Sequence, residues 1–362
     1  MMLKVNKYWF GYFLIKLFYM FFAIFIYSKL TTLGDTGRWM SGRLFIPENL
    51  SFLYTSTEFM DFFGGISSYM LGSILGNLPF MILSFYGIYY SVSKLSLTNN
   101  QFYILLFLLS LPSFGIWSSV AGKEAIGVFF MGIILGYIID ILDNNRFNVK
   151  VVELISFCLM FIFKPQYSIA IFSIIIFIYL SRKLNLQGYG KLFLLIFHII
   201  LAVIVLYIYK DTINEISYIL PKYFSLDAGS TRENNIWIND YDVFFNAPYG
   251  MFIAFWGVTL NEVFNKLILS IFFTESLIIF SFFLYFIVLS LKKIYDSGRV
   301  NILILSIISM MLFWLLFAQY PFGVFNPGSA LRYRENFYGF LVIMLFYIYL
   351  KYIKNKNYEL KR

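Results

Sequence analysis

Residues 192–209 read LFLLIFHIILAVIVLYIY, a run that contains one histidine and no charged side chain. At about 1.5 Å of rise per residue it makes a helix close to the roughly 30 Å of hydrocarbon in a bilayer. Neither face of such a helix is polar, so water cannot be its solvent. Similar runs lie at 9–30, 70–92, 102–121, 125–142, 151–164, 166–181, 267–290, 301–319 and 336–352. The sequence therefore predicts an all-α, polytopic transmembrane helical bundle of about ten spans. It forms a single integral membrane domain over 1–362, with partly helical extracytoplasmic loops, of which 210–266 is the largest. The runs 151–164 and 166–181 are short and meet at Lys164-Pro165-Gln166, where proline removes a donor, so they read as a tight hairpin or a broken helix.

Composition points the same way. Of the side chains 60% are apolar and only 13% charged, and the mean hydropathy is +0.76. A soluble chain of this length would carry far more charge. The one cysteine, Cys158, excludes an intramolecular disulfide and a thiolate metal cluster. The first run is too long for a cleavable signal and is read as a retained anchor. Basic residues set the orientation, because short cytoplasmic loops are enriched in Lys and Arg. With the N-terminus inside, the inner segments hold Lys4, Lys7, Lys94, Arg146, Lys150, Arg182, Lys183, Lys191, Lys292, Lys293, Arg299, Lys351, Lys354, Lys356, Lys361 and Arg362. Both termini are then cytoplasmic, and topology accounts for the net charge of +9, which is no sign of a nucleic-acid partner.

The outer segments hold the unusual residue combinations. Asn326-Pro327-Gly328-Ser329 is a turn that leads into Arg332, Tyr333, Arg334 and Glu335 and then the last apolar run, with Ser329 as the expected helix cap. A helix N-terminus with two arginines suits a phosphate or pyrophosphate; snorkelling to lipid head groups or pairing with Glu335 is the plainer account. The turn 113–124 ends in Lys123 and Glu124. Ser118 or Ser119 would cap the following helix there, Glu124 would complement its dipole or act as acid or base, and Lys123 would snorkel or bind phosphate. Gly34-Asp35-Thr36-Gly37-Arg38-Trp39 combines a carboxylate with a ring able to stack on sugar, or is a solvated turn with an Asp35–Arg38 pair. The long loop offers Arg232, Glu233, Trp237, Asp240, Tyr241, Asp242 and Tyr249, which fits carbohydrate binding. Its stretch 249–260 is too short to span and reads as interfacial. Glu275 lies inside an apolar run and needs a partner, for which Arg332, Arg334 and Lys164 are candidates. His198 reads as a hydrogen-bonded structural residue, and no phosphate-loop, dinucleotide or His-Glu-x-x-His pattern is present.

The turn Ser113 to Glu124, the junction Lys164-Pro165-Gln166, and Asn326-Pro327-Gly328-Ser329 with Arg332 and Arg334 resemble the Wzy-type O-antigen and surface-polysaccharide polymerases, which are related to GT-C glycosyltransferases. The resemblance implies a polymerase of the bacterial inner membrane that transfers a growing glycan from undecaprenyl pyrophosphate to the next lipid-linked repeat unit. It implies no cofactor and no metal, a lipid-linked oligosaccharide substrate, and a chain-length regulator and a flippase as partners. Arg232, Arg332 and Arg334 take the place of the family's loop arginines, while the outer-loop histidine of related ligases is missing. With Arg232 placed there by the resemblance, the site reads as Arg232, Arg332, Arg334, Lys123 and Lys164 as pyrophosphate ligands, Asp35, Glu124, Glu233 and Glu275 as acid/base candidates, and Arg38, Trp39, Trp237, Tyr241 and Tyr249 toward the glycan. Two rivals remain: a GT-C enzyme using a polyprenyl-phosphate sugar with Asp35 as base, and a transporter of lipid-linked glycan.

Overall fold

The computed structural model describes residues 7–45, 48–228, 231–297 and 300–353. Lys4, Arg299, Lys354, Lys356, Lys361 and Arg362, read above as inner-side basic residues, lie outside the described residues. Among the described residues no strand occurs. The main helices are α1 (Lys7–Phe22, carried on by a π turn to Leu30), α2 (Ser56–Leu75), α3 (Leu78–Val92), α4 (Asn99–Leu108) and α5 (Pro112–Trp117). They continue with α6 (Lys123–Asn144), α7 (Val151–Phe163), α8 (Tyr167–Lys183), α9 (Gly188–Ile208) and α10 (Lys210–Tyr223). The last are α11 (Ala247–Trp256), α12 (Leu260–Asn265), α13 (Ser270–Ser297), α14 (Ile302–Gly323) and α15 (Pro327–Ile348).

Among the described residues five stretches are long and apolar enough to cross a membrane: Lys7–Leu30, Lys123–Asn144, Gly188–Ile208, Leu267–Ser297 and Ile302–Gly323. Helices α2 and α3, bent by 96°, make a sixth if they are one broken span. By length and composition these helices do not confirm the expected ten, because several apolar runs are interrupted. The run 70–92 breaks where Gly72 takes a positive φ of 79° and the chain turns at Gly76 and Asn77. The run 102–121 is divided between α4 and α5, since Pro112 cannot continue a helix that needs its N–H. Helix α7 has 13 residues, about 20 Å, and α8 has 17; Lys164-Pro165-Gln166 separates them as expected. Helix α15 begins with Arg332, Arg334 and Glu335, so its apolar part is too short to pass the same test. Its cap is Asn326, whose Oδ1 accepts from the Ser329 N–H at 3.0 Å, because Pro327 occupies the first helical position and Ser329 already lies inside the helix.

The chain divides into two compact units, 1–165 with 335–362, and 166–334. In the first, α6 is apolar on all sides and is buried along its whole membrane-length window. Backbone packs against backbone where α3 crosses it. A Cβ on Gly132 would stand 2.3 Å from the Gly87 carbonyl oxygen, and one on Gly87 would stand 2.6 Å from Phe129 Cα. At the far end of α6, Asp140 pairs with Lys94 at 2.9 Å and Arg146 at 3.2 Å, Arg146 also reaches Glu153, and Lys351 pairs with Asp143 at 3.2 Å. Basic residues read as topology signals are thus partners in an ion network. In the second unit α11 lies on α14, with Gly250 under the Tyr320 ring and Gly323 against Ala254. Helix α9 leaves most of its apolar surface exposed, as a helix whose solvent is lipid should.

Gly132→Leu should force α3 and α6 apart and destabilise the protein by about 1–3 kcal/mol or more, seen as a lower midpoint of thermal unfolding in detergent. Gly11→Leu, at a position with nothing within 4 Å, should leave that midpoint nearly unchanged.

Candidate functional site

Helix α11 has ten residues, about 15 Å, and stops at Trp256, where Gly257 turns the chain with a φ of 92°. Its last carbonyls have no N–H of the same helix to accept from, and in apolar surroundings each unsatisfied one costs several kcal/mol. Arg334, from the start of α15, supplies donors. Its Nη1 donates to the carbonyls of Phe255 at 3.1 Å and Trp256 at 3.5 Å and to Ser276 Oγ at 3.3 Å, while Nη2 donates to Glu275 Oε1 at 2.6 Å. Both ion-pair side chains are only 1% exposed. Among the three partners the sequence offered Glu275, the structure selects Arg334.

Arg232 does the same one turn further along. It donates to the Gly257 carbonyl, and to those of Val324 at 3.1 Å and Gly323 at 3.4 Å at the end of α14. Its Nε and Nη2 hold the two Glu262 oxygens, each at 2.9 Å. Glu262 is positioned by a capping box in which it accepts from the Thr259 N–H at 2.8 Å. Burial alone would raise the Glu262 carboxyl, but the Arg232 and Thr259 donors outweigh it and hold the carboxyl below its ordinary value. A guanidinium at a helix C-terminus also meets the negative end of the dipole. Gln319 completes the set: its amide donates to Ala254 and Ala330 carbonyls, each at 3.0 Å, and its buried Oε1 has no hydrogen-bond partner.

The first unit repeats the device with a lysine. Lys16, buried within α1, donates to Ser118 at the end of α5, at 3.0 Å to the carbonyl and 2.7 Å to Oγ. Residues 113–121 are buried rather than an open turn, and 118–122 form an unwound link between α5 and α6. Their backbone is satisfied by Lys16, by Ser84 on the Ser118 carbonyl, by Thr36 on the Ala121 carbonyl at 2.8 Å, and by Asn77, which accepts from the Ala121 N–H at 2.8 Å. Gly122, not Ser118 or Ser119, precedes α6, because Glu124 folds back over it: a Cβ at 122 would stand 2.9 Å from Glu124 Oε2. Lys123 Nζ donates to Thr57 Oγ1 at 2.8 Å, and buried Lys164 ends α7.

The remaining residues fall into packed and exposed sets. Trp39 is 2% exposed and rests on Gly64, so its ring is not open to a sugar, whereas Gly34, Asp35, Gly37 and Arg38 are exposed, and Arg38 pairs with Asp61 rather than Asp35. Trp237 is likewise interior: it stacks edge-on to Tyr320 and Phe325 and donates to the Tyr320 hydroxyl. Asp35, Glu233 and Tyr249 are exposed, and Arg332 is half-buried with its guanidinium 5.9 Å from the Tyr333 ring centre. His198 accepts from Trp314 Nε1 at 3.2 Å, which suits the structural role read for it. Tyr241 belongs to a polar cluster. Its N–H donates to Asn214 Oδ1 at 2.7 Å and its hydroxyl to Asp211 at 2.7 Å, while Tyr218 and Asn214 both donate to Asp240. The Tyr218 hydrogen bond holds the Asp240 carboxyl low, and the Asp240 and Asp211 bonds hold the Tyr218 and Tyr241 phenols high, so carboxylates and protonated phenols stand side by side.

The sequence reading passed over Lys16, Asn214, Tyr218 and the pairing of Glu262. Two of these had a visible signal: a charge in the middle of the first apolar run, and the Thr-x-x-Glu spacing of a capping box. Among the described residues no group of three or more His, Cys, Asp or Glu side chains is placed to hold a metal ion. Comparison with known families, curated proteins and solved structures gives no match.

Because the folded Glu262 carboxyl lies below the ordinary value of about 4.5, its pairing stabilises the fold fully above that pH and is lost as the pH falls through the lowered value. Acidification through that window should speed amide exchange in residues 257–266, and Glu262→Gln should abolish the pH dependence there while slowing nothing.

Proposed function

We propose that this protein is a polymerase of lipid-linked oligosaccharide repeat units at the outer face of the bacterial inner membrane. The observation that carries the reading is the polar cluster in which exposed Asp211, Tyr218 and Asp240 surround Asn214 and Tyr241, built on the helix that directly follows membrane-length α9. Carboxylates, an amide and protonated phenols within one patch offer both acceptors and donors to sugar hydroxyls, and the neighbouring Tyr249 is 59% exposed and free to stack on a ring. The resemblance of the chain's loops to Wzy-type polymerases supports the same assignment, with about ten crossings in all, both termini cytoplasmic, and a flippase and a chain-length regulator as partners.

In the reaction a hydroxyl of the incoming repeat unit attacks the anomeric carbon of the growing chain. The carbon–oxygen bond to the lipid diphosphate breaks, the diphosphate leaves with the electron pair, and the hydroxyl proton passes to a carboxylate or to the leaving group. Of the acid/base candidates, Glu233 and Asp35 are exposed, whereas Glu275 is committed to Arg334. Cations stabilise the departing charge, and Arg332, half-buried at the start of α15, is one suited to it. A glycan transporter is the second reading, favoured by the unwound segment 118–122 and the breaks at Gly72 and Gly257.

Deleting the gene should collapse a ladder of long surface glycans to single repeat units if the chain is a polymerase, and remove even those if it is a transporter. Asp240→Ala with Tyr241→Phe should restore only short chains, with average length reduced several-fold at normal protein level.

A further inference from the structure

Helices α8, α9 and α14 of the second unit enclose an apolar groove of ≈ 260 Å³ that the glycan cluster does not use. Its walls include Ile176, Phe177, Phe197, Leu201, Met310 and Trp314. Ile176, Phe197 and Leu201 remain about half exposed, so the groove opens on the side where α9 meets hydrocarbon.

His198 and Ser173 also stand in this wall, and each carries an unused donor. His198 Nε2 accepts from Trp314 Nε1 at 3.2 Å. An indole N–H can only donate, so Nε2 carries no proton and the neutral imidazole holds its proton on Nδ1. Among the described residues neither this Nδ1–H nor the Ser173 hydroxyl is met by a hydrogen-bond partner. The two groups lie at one level. A link over 184–187 joins α8 to α9 as a helical hairpin. Ser173 lies ten residues before the end of α8 and His198 ten residues after the start of α9, so each stands about 15 Å from the turn. His198 is thereby the middle residue of a membrane-length helix. Donors left unused in hydrocarbon cost free energy, which a guest with two acceptors would remove.

A charged head group, or an ester tied to one, is held at the membrane surface and cannot be drawn to that depth cheaply. An uncharged ring with carbonyls on opposite sides can, because its two bond dipoles cancel and it has no donor that needs water. Phe177, Phe197 and Trp314 offer such a ring aromatic surface. The volume is just below the lower end of small-molecule sites, about 300 Å³, and suits one ring with the start of its hydrocarbon tail rather than a whole lipid. We infer that the groove between α8, α9 and α14 binds the ring of a membrane-dissolved quinone, with His198 Nδ1 and Ser173 Oγ donating to its carbonyl oxygens. This site is independent of the polymerase reading. A lipid acyl chain is the competing occupant; it has no acceptor at this depth and is indifferent to both donors.

The test is binding to the full-length protein in nanodiscs. The probes are a photoactivatable benzoquinone with a short isoprenoid tail and the matching compound whose ring bears no oxygen. The quinone should bind about tenfold more tightly, with crosslinks mapping to residues 169–180, 194–205 and 310–314. Ser173→Ala, which leaves the His198–Trp314 bond intact, should weaken quinone binding several-fold, and His198→Phe about tenfold, while neither changes the oxygen-free probe. Ala202→Trp, which fills the groove, should block both probes. Melting curves in detergent check that each variant is folded. Equal affinity for the two probes would overturn the inference in favour of an acyl chain. Crosslinks elsewhere, unchanged quinone affinity in Ser173→Ala, or binding that survives Ala202→Trp would overturn it as well.

Discussion

A carbonyl that ends a helix inside hydrocarbon has neither water nor a following turn to bond with, and it must be met by a donor from elsewhere in the chain. This protein has several such ends, and it meets them with buried cations. Lys16 serves the end of α5, Arg334 the end of α11, and Arg232 both the Gly257 link and the end of α14. Each arginine is neutralised by its own carboxylate, Glu275 or Glu262. Removing one member of such a pair strands the other, at a cost of about 3–5 kcal/mol, so the positions are tightly determined.

Short and broken helices are thereby possible where continuous spans would be the simple solution. They place non-helical backbone, as at 118–122 and around Gly257, inside packed protein. The result separates two chemistries: an exposed patch of carboxylates and phenols at 211–241 in one unit, and an apolar groove lined by Phe59, Phe63, Phe80 and Phe129 in the other.

The all-helical class was legible because long uncharged runs such as 192–209 admit one solvent and one secondary structure. The break at Pro165 was legible too, since proline announces it in the chain itself. The number of continuous spans was not. Gly72 and the unwound 118–122 interrupt apolar runs without any change in hydropathy, and their tolerance depends on Asn77, Thr36 and Lys16, which are remote in sequence. The arginines show the same limit. An arginine such as Arg334 near a helix start is chemically suited to phosphate, and nothing in the local sequence says that the Phe255 and Trp256 carbonyls arrive there first. Trp39 and Trp237 were read as sugar platforms from their polar neighbours, yet Gly64 makes room for one and Tyr320 with Phe325 encloses the other.

The assignment of buried cations to helix ends is tested most directly by amide hydrogen exchange in Arg334→Met. If Arg334 holds the end of α11, exchange across 250–257 should quicken by more than tenfold, the equivalent of about 1.4 kcal/mol, while α9 keeps its native pattern. Unchanged protection of 250–257 in a folded Arg334→Met protein would contradict the account.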